Sequence, residues 1–168
     1  MELRERKPLR LEQYDYDSPG CYFITICVKE KHPVLWCRGA QCAPADTGPK
    51  LSEVGEVIRE AILRISRAYP HVSVEKYVIM PNHIHMILQV NRGRTLCAPT
   101  QPFARRPIVA RVVKHMKEYV TKTIGFSIWQ KSYHDHIIRD EADYLRIWEY
   151  IDTNPAKWRE DRYYEEGL

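Results

Sequence analysis

Hydrophobic positions along this chain repeat with two different periods, and the switches between them mark out seven elements. The run 21–29, "CYFITICVK", alternates and is rich in β-branched and aromatic residues, so it predicts a strand. Residues 37–50, "CRGAQCAPADTGPK", carry the glycine and proline of a loop. Over 51–70, Val54, Val57, Ile58, Ala61, Ile62 and Ile65 recur at helical spacing, with Ser52 as a cap and Pro70 at the end. "VSVEKYVIM" (72–80) and "HIHMILQV" (83–90) read as two strands broken by "PN". That break is too short for a helix, so the two strands should pair antiparallel. A polar loop covers 91–106, and a second amphipathic helix covers 107–124 with Pro107 suited to its first turn. Residues 127–139 predict a long strand or one with an irregular start. Residues 140–155 predict a final helix, capped by Asp140 and ended near Pro155.

The resulting order is β-α-β-β-α-β-α. Its first six elements match the split-βαβ, ferredoxin-like pattern: an α+β fold with two helices on one face of an antiparallel sheet. The seventh is an added C-terminal helix. At 168 residues the chain suits a single domain spanning its whole length.

Composition narrows the class. With 44% hydrophobic and 29% charged residues this is ordinary globular usage. No apolar run approaches the ~20 residues of a membrane helix, and the stretch "MELRERKPLRLEQ" has no apolar core of a secretory signal. The five cysteines include no C-x-x-C pair, so reduced thiols and a cytoplasmic location are expected. Charge is uneven. Residues 92–122 hold eight Lys/Arg against the single acid Glu118. Such a segment is either the solvated face of a helix or an electrostatic footprint for phosphates.

Two histidine pairs stand out. In the strand 83–90, alternation turns Ile84, Met86 and Leu88 one way and His83, His85, Ile87 and Gln89 the other. The apolar set suits a helix-covered core. His83 and His85 then stand ~7 Å apart at the backbone on the opposite face, close enough for two imidazoles to converge on one cation. The last helix has an apolar stripe of Tyr144, Ile147, Trp148 and Ile151. Tyr150 and Asn154 lie together at one margin of that stripe, stacked as i, i+4 neighbours that can overhang an adjoining surface. They fit equally a boundary residue and a helix-ending residue. His134 and His136 form the second pair, in "SYHDHIIRD". A regular strand turns Asp135 away from them, so the pair reads as no metal site.

The segments "RLEQYDYDSPGCYFITICV", "PNHIHMI" and "WQKSYHDHIIRDEADYLRIWEYIDTNPAKW" resemble the single-tyrosine HUH transposases, and most of all the REP-associated tyrosine transposase branch. The resemblance runs from about Arg10 to Trp158 and departs in the loops 37–50 and 91–106. It implies that His83 and His85 bind a divalent metal, Mg²⁺ or Mn²⁺, with Asn154 as third ligand and Tyr150 as nucleophile. Two imidazoles and an amide form a neutral donor set open to either ion. It also implies a ferredoxin-like fold acting, as monomer or homodimer, on single-stranded, hairpin-forming DNA such as palindromic repeat elements. A covalent phosphotyrosine would conserve the energy of the cut bond for rejoining.

Arg105, Arg106, Arg111, Lys114 and Lys117 are the expected backbone contacts, and Tyr14, Tyr16 and Trp129 are possible stacking partners for extruded bases. Two other functions use the same residues: a DNA-binding protein of this fold without chemistry, and a metal-dependent phosphodiesterase that attacks with water.

Overall fold

The computed structural model describes residues 18–37, 50–91 and 107–164. Arg105, Arg106, Tyr14 and Tyr16 lie outside them. The elements are β1 (Gly20–Cys27), α1 (Glu53–Leu63), α2 (Ile65–Ala68), β2 (Val72–Ile79), β3 (His83–Val90), α3 (Ile108–Ile124), β4 (His134–Ile138) and α4 (Glu141–Thr153). Short 3-10 turns occupy Lys29–Lys31 and Trp158–Glu160.

The four strands form one antiparallel sheet in the order β2-β3-β1-β4. This is the ferredoxin-like arrangement that the element order predicts, and β2 and β3 form the expected antiparallel pair. One face carries Tyr22, Ile24 and Ile26 of β1 with Ile84, Met86 and Leu88 of β3. These pack against Ile58 and Ile62 of α1 and against Val112, Val113, Met116 and Val120 of α3. Burial of each such side chain contributes roughly 1.5–3 kcal/mol. A one-residue slip of β3 would drive His83 and His85 into this core, so the apolar pattern pins the register.

The other face is covered by the C-terminal part of the chain. Ile147 and Ile151 of α4 sit on Ile87 and Ile138. Trp158 and Tyr163 pack with Cys27, Trp36 and Met80. The histidine-bearing face is therefore roofed by α4 and the segment after it. Polar pairs fasten α4 towards both ends. His136 Nε2 lies 2.7 Å from Asp143 Oδ2, and Lys76 pairs with Asp152 while lying over the Trp148 ring. Asp140 caps the helix by accepting from Asp143 N–H at 2.8 Å, as Ser52 caps α1 by accepting from Gly55 N–H at 3.1 Å.

Two elements differ from their sequence patterns. The helix expected over 51–70 divides at Arg64, where Arg67 N–H bonds back to the Arg64 carbonyl in a tightened turn. The strand expected over 127–139 is regular only from His134. Before it, Trp129 turns into the α3 core, and the Lys117 ammonium donates to the carbonyls of Gln130 (2.9 Å) and Ser132 (2.8 Å). Those carbonyls serve a side chain instead of a sheet ladder.

Candidate active site

β3 is flanked by β1 and β2, so its outward side chains start half enclosed and become fully buried once α4 and residues 158–164 close over them. His83 is 0% and His85 1% exposed. Each imidazole is held by its Nδ1. Asn82 Nδ2 donates to the Tyr163 carbonyl at 2.9 Å, which turns Asn82 Oδ1 towards His83 Nδ1 at 2.8 Å. An amide oxygen only accepts, so His83 carries its proton on Nδ1 and presents a bare lone pair on Nε2. His85 Nδ1 lies 2.8 Å from Thr25 Oγ1, across the β1–β3 ladder where Thr25 and His85 are direct partners. A hydroxyl donates or accepts, so Thr25 suits either tautomer of His85.

The two Nε2 atoms are 3.0 Å apart. Without a cation, one proton between them makes a hydrogen bond. With both Nδ1 atoms protonated, two lone pairs face each other and need a positive charge. Two ligand atoms bound to one ion at about 2.1 Å and a right angle also lie about 3.0 Å apart. Burial pushes the His83 pKa down to about 3, helped by the Arg162 guanidinium. Burial, then the neighbouring His83, push His85 down as well. Both rings are thus neutral at pH 7, the form that binds metal.

α4 brings Tyr150 to this pair. Its hydroxyl lies 3.3 Å from His85 Nε2 and donates to Asp161 Oδ2 at 3.1 Å. Burial of the hydroxyl, then the Asp161 charge, push the Tyr150 pKa up to about 12. Tyr150 is 38% exposed, so the phenol is reachable from outside. Asn154, one turn further on, is 2% exposed, and its Nδ2 is buried without a hydrogen-bond partner among the described residues. An unsatisfied buried polar group costs about 1–3 kcal/mol. Turned over, the same amide presents its oxygen to the same spot.

Two imidazole nitrogens and a hydroxyl therefore converge, and the buried Asn154 amide follows one turn along α4 from the residue that bears the hydroxyl. This donor set fits a divalent ion of the Mg²⁺ or Mn²⁺ type. The structure brings together His83, His85 and Tyr150 by direct contact, and places Asn154 beside Tyr150.

Sequence reasoning missed Asp161, Thr25, Asn82 and Arg162. Asp161 lies beyond Pro155 in a stretch without periodicity, and only the 3-10 turn at Trp158–Glu160 folds it back. Ligand atoms of His83, His85 and Asp161 all lie within 4.8 Å of one another. A cavity of about 490 Å³ opens beside Tyr150, with Phe23, His134, His136, Arg146 and Arg162 among its walls. His134 and His136 are there because β4 joins β1 in a register that pairs Thr25 with His134 and Phe23 with His136. The second histidine pair thus shares the site's face, with His136 tied to α4.

The expected DNA-binding cations are elsewhere. Arg111, Lys114 and Lys117 belong to α3, which packs on the opposite face of the sheet. Lys114 pairs with Glu118 at 3.4 Å. Lys117 is bound to its two carbonyls, and burial pushes its pKa down to about 8. It is therefore not a free surface cation. Trp129 is 7% exposed within the α3 core, so it offers no stacking face.

No protein-family model matches the chain. It is 33% identical to an uncharacterised protein of Haemophilus influenzae, over 96% of this chain and 94% of that protein. It is 28% identical to the REP-associated tyrosine transposase of Escherichia coli K12, over 84% of this chain and 70% of that protein. The structure of a REP-associated tyrosine transposase bound to a REP hairpin shares the fold, with a TM-score of 0.60 and 23% identity over 89% of this chain and 73% of that one. Fold and relatives support a transposase-type, DNA-processing role. The chain's named relatives within that class are REP-associated tyrosine transposases.

Proposed function

We propose that this chain cuts and rejoins hairpin-bearing single-stranded DNA, with Tyr150 as the nucleophile. The observation that carries this reading is the Tyr150 hydroxyl 3.3 Å from His85 Nε2, itself 3.0 Å from His83 Nε2. A nucleophile beside two neutral, lone-pair-bearing imidazoles suits phosphoryl transfer. His83, His85 and Asn154 would hold Mg²⁺ or Mn²⁺. The bound ion supplies Lewis-acid stabilisation of a phosphate oxygen.

Tyr150 Oη forms a bond to the scissile phosphorus as the bond from phosphorus to the 3′-oxygen breaks. The phenol loses one proton and the departing 3′-oxygen gains one. The product is a 5′-phosphotyrosine and a free 3′-OH, and attack by a 3′-OH reverses the step. Asn82 holds His83 in its Nδ1–H tautomer, Thr25 orients the His85 ring and can accept its Nδ1 proton, and α4 carries Tyr150 to the pair. Arg146 and Arg162, which line the cavity at Tyr150, are placed for phosphates near the cut. Arg111 and Lys114 on α3 suit more distant duplex backbone. The hairpin substrate is carried over from the relative solved with a REP hairpin.

Incubation with hairpin-bearing single-stranded DNA and Mn²⁺, followed by denaturing electrophoresis, tests the reading. A covalent protein–DNA band that Tyr150→Phe abolishes supports it. Cleavage that survives Tyr150→Phe without any such band would assign the cut to water.

A further inference from the structure

We infer that Asp161 is an anionic ligand of the metal centre, so the donor set is not the neutral one that the histidines and Asn154 make alone. The inference rests on the metal-site reading above and adds a residue to it. Its carboxylate is the acidic group that joins both imidazoles in a cluster with ligand atoms within 4.8 Å of one another.

The position is built. Asp161 Oδ1 accepts from Tyr163 N–H at 2.7 Å. The Tyr163 carbonyl accepts from Asn82 Nδ2 at 2.9 Å, and Asn82 Oδ1 holds His83 Nδ1 at 2.8 Å. One hydrogen-bonded chain therefore links the carboxylate to the first histidine. Tyr163 also lies against both imidazoles, with ring centroids 4.5 Å from His83 and 6.1 Å from His85. Anchoring through Oδ1 leaves Oδ2 directed at the cluster, where the Tyr150 hydroxyl is its partner at 3.1 Å.

Chemistry favours the same role. Hard divalent ions such as Mg²⁺ and Mn²⁺ prefer charged oxygen donors, and two imidazoles with an amide supply none. A carboxylate within a few ångströms of a largely desolvated 2+ charge is strongly attractive. Loading the site would draw Oδ2 from Tyr150 to the ion and free the phenol for attack on phosphorus. Asp161 would thus couple metal occupancy to release of the nucleophile.

The test is Mn²⁺ binding to the full chain, followed by the electron paramagnetic resonance signal of free Mn²⁺. Asp161→Asn keeps an acceptor for Tyr163 N–H and removes the charge. It should weaken binding at least ~10-fold, with the metal-free melting temperature near that of the parent. Tyr150→Phe should bind Mn²⁺ at least as tightly as the parent. Unchanged affinity in Asp161→Asn, beside a large loss in His85→Ala, would overturn the inference and leave the histidine site standing. Unchanged affinity in His85→Ala would overturn the metal reading itself, and this inference with it.

A second variant guards against misfolding. In Asp161→Cys, Cd²⁺ should give a thiolate-to-metal ultraviolet band beyond any from the parent's own cysteines, and that increment should be lost on adding His85→Ala. An increment that persists without His85 would place Cd²⁺ elsewhere and count against the inference.

Discussion

Replacing Thr25 by valine removes one hydroxyl and almost no volume, and so isolates the tautomer of His85. Thr25 is 4% exposed, and its Oγ1 is 2.8 Å from His85 Nδ1. In the metal-free protein the hydroxyl can donate to Nδ1 while His85 Nε2–H bonds to His83 Nε2, 3.0 Å away. Valine forfeits one buried hydrogen bond there, about 1 kcal/mol. Metal binding requires a lone pair on His85 Nε2, so the proton must sit on Nδ1. In Thr25→Val that N–H is buried without an acceptor, at a cost of about 1–3 kcal/mol. Part is offset by the bond already missing in the metal-free state. The expected net effect is about 10-fold weaker Mn²⁺ binding, with ~100-fold as the upper bound for an outer partner of a ligating histidine. Titration calorimetry with Mn²⁺ measures it, and ¹⁵N shifts of the imidazoles report the tautomer. Thr25→Ser should bind as the parent does. Equal affinity in Thr25→Val and parent would refute the reasoning, because the hydroxyl would then not set the ligand nitrogen.

Other expectations follow from the same geometry. Asn154→Leu replaces an orphaned buried amide by an apolar group of similar size, so the metal-free protein should gain about 1 kcal/mol by denaturant titration while cutting is lost; a destabilised variant would contradict this. The His83 pKa is depressed to about 3 from the ordinary histidine value of 6.5. The unfolded chain therefore takes up a proton below pH 6.5 that the folded one refuses. Metal-free stability should be full above pH 6.5 and fall towards pH 3 by about 1.4 kcal/mol per unit for this group, and a flat acid profile of melting temperature would count against a buried neutral His83. His136→Asn breaks a contact whose histidine is half exposed, so stability should drop by less than ~1 kcal/mol, whereas a loss of several kcal/mol would mean His136 does more than fasten α4.

The sequence made legible those parts of the site that depend on local period. Alternation in β3 placed Ile84, Met86 and Leu88 in the core and left His83 and His85 on the other face, as observed. The stripe of α4 located Tyr150 at its edge, where its partly exposed side chain reaches the histidines. Residues that meet the site across the fold were not legible. Thr25 reaches His85 only through the β1–β3 register, and Asp161 only through the turn that follows α4. Asn82 read as a strand breaker, yet its side chain ties His83 to Tyr163. Charge counting failed differently: it found the cations of α3 but not the sheet face on which α3 packs. Nor could it show that Lys117 is bound to the strap before β4.

The central claim is that Tyr150 carries the DNA, and a rival tyrosine stands close by. Tyr163 lies 4.5 Å, ring to ring, from His83. Tryptic digestion of the covalent adduct separates them, since cleavage after Arg146 and Lys157 gives "IWEYIDTNPAK", with Tyr150 as its one tyrosine. Mass spectrometry after nuclease trimming should find the nucleotide remnant on that peptide. A remnant on the peptide that begins at Tyr163, or cut DNA with no modified peptide, would contradict the account.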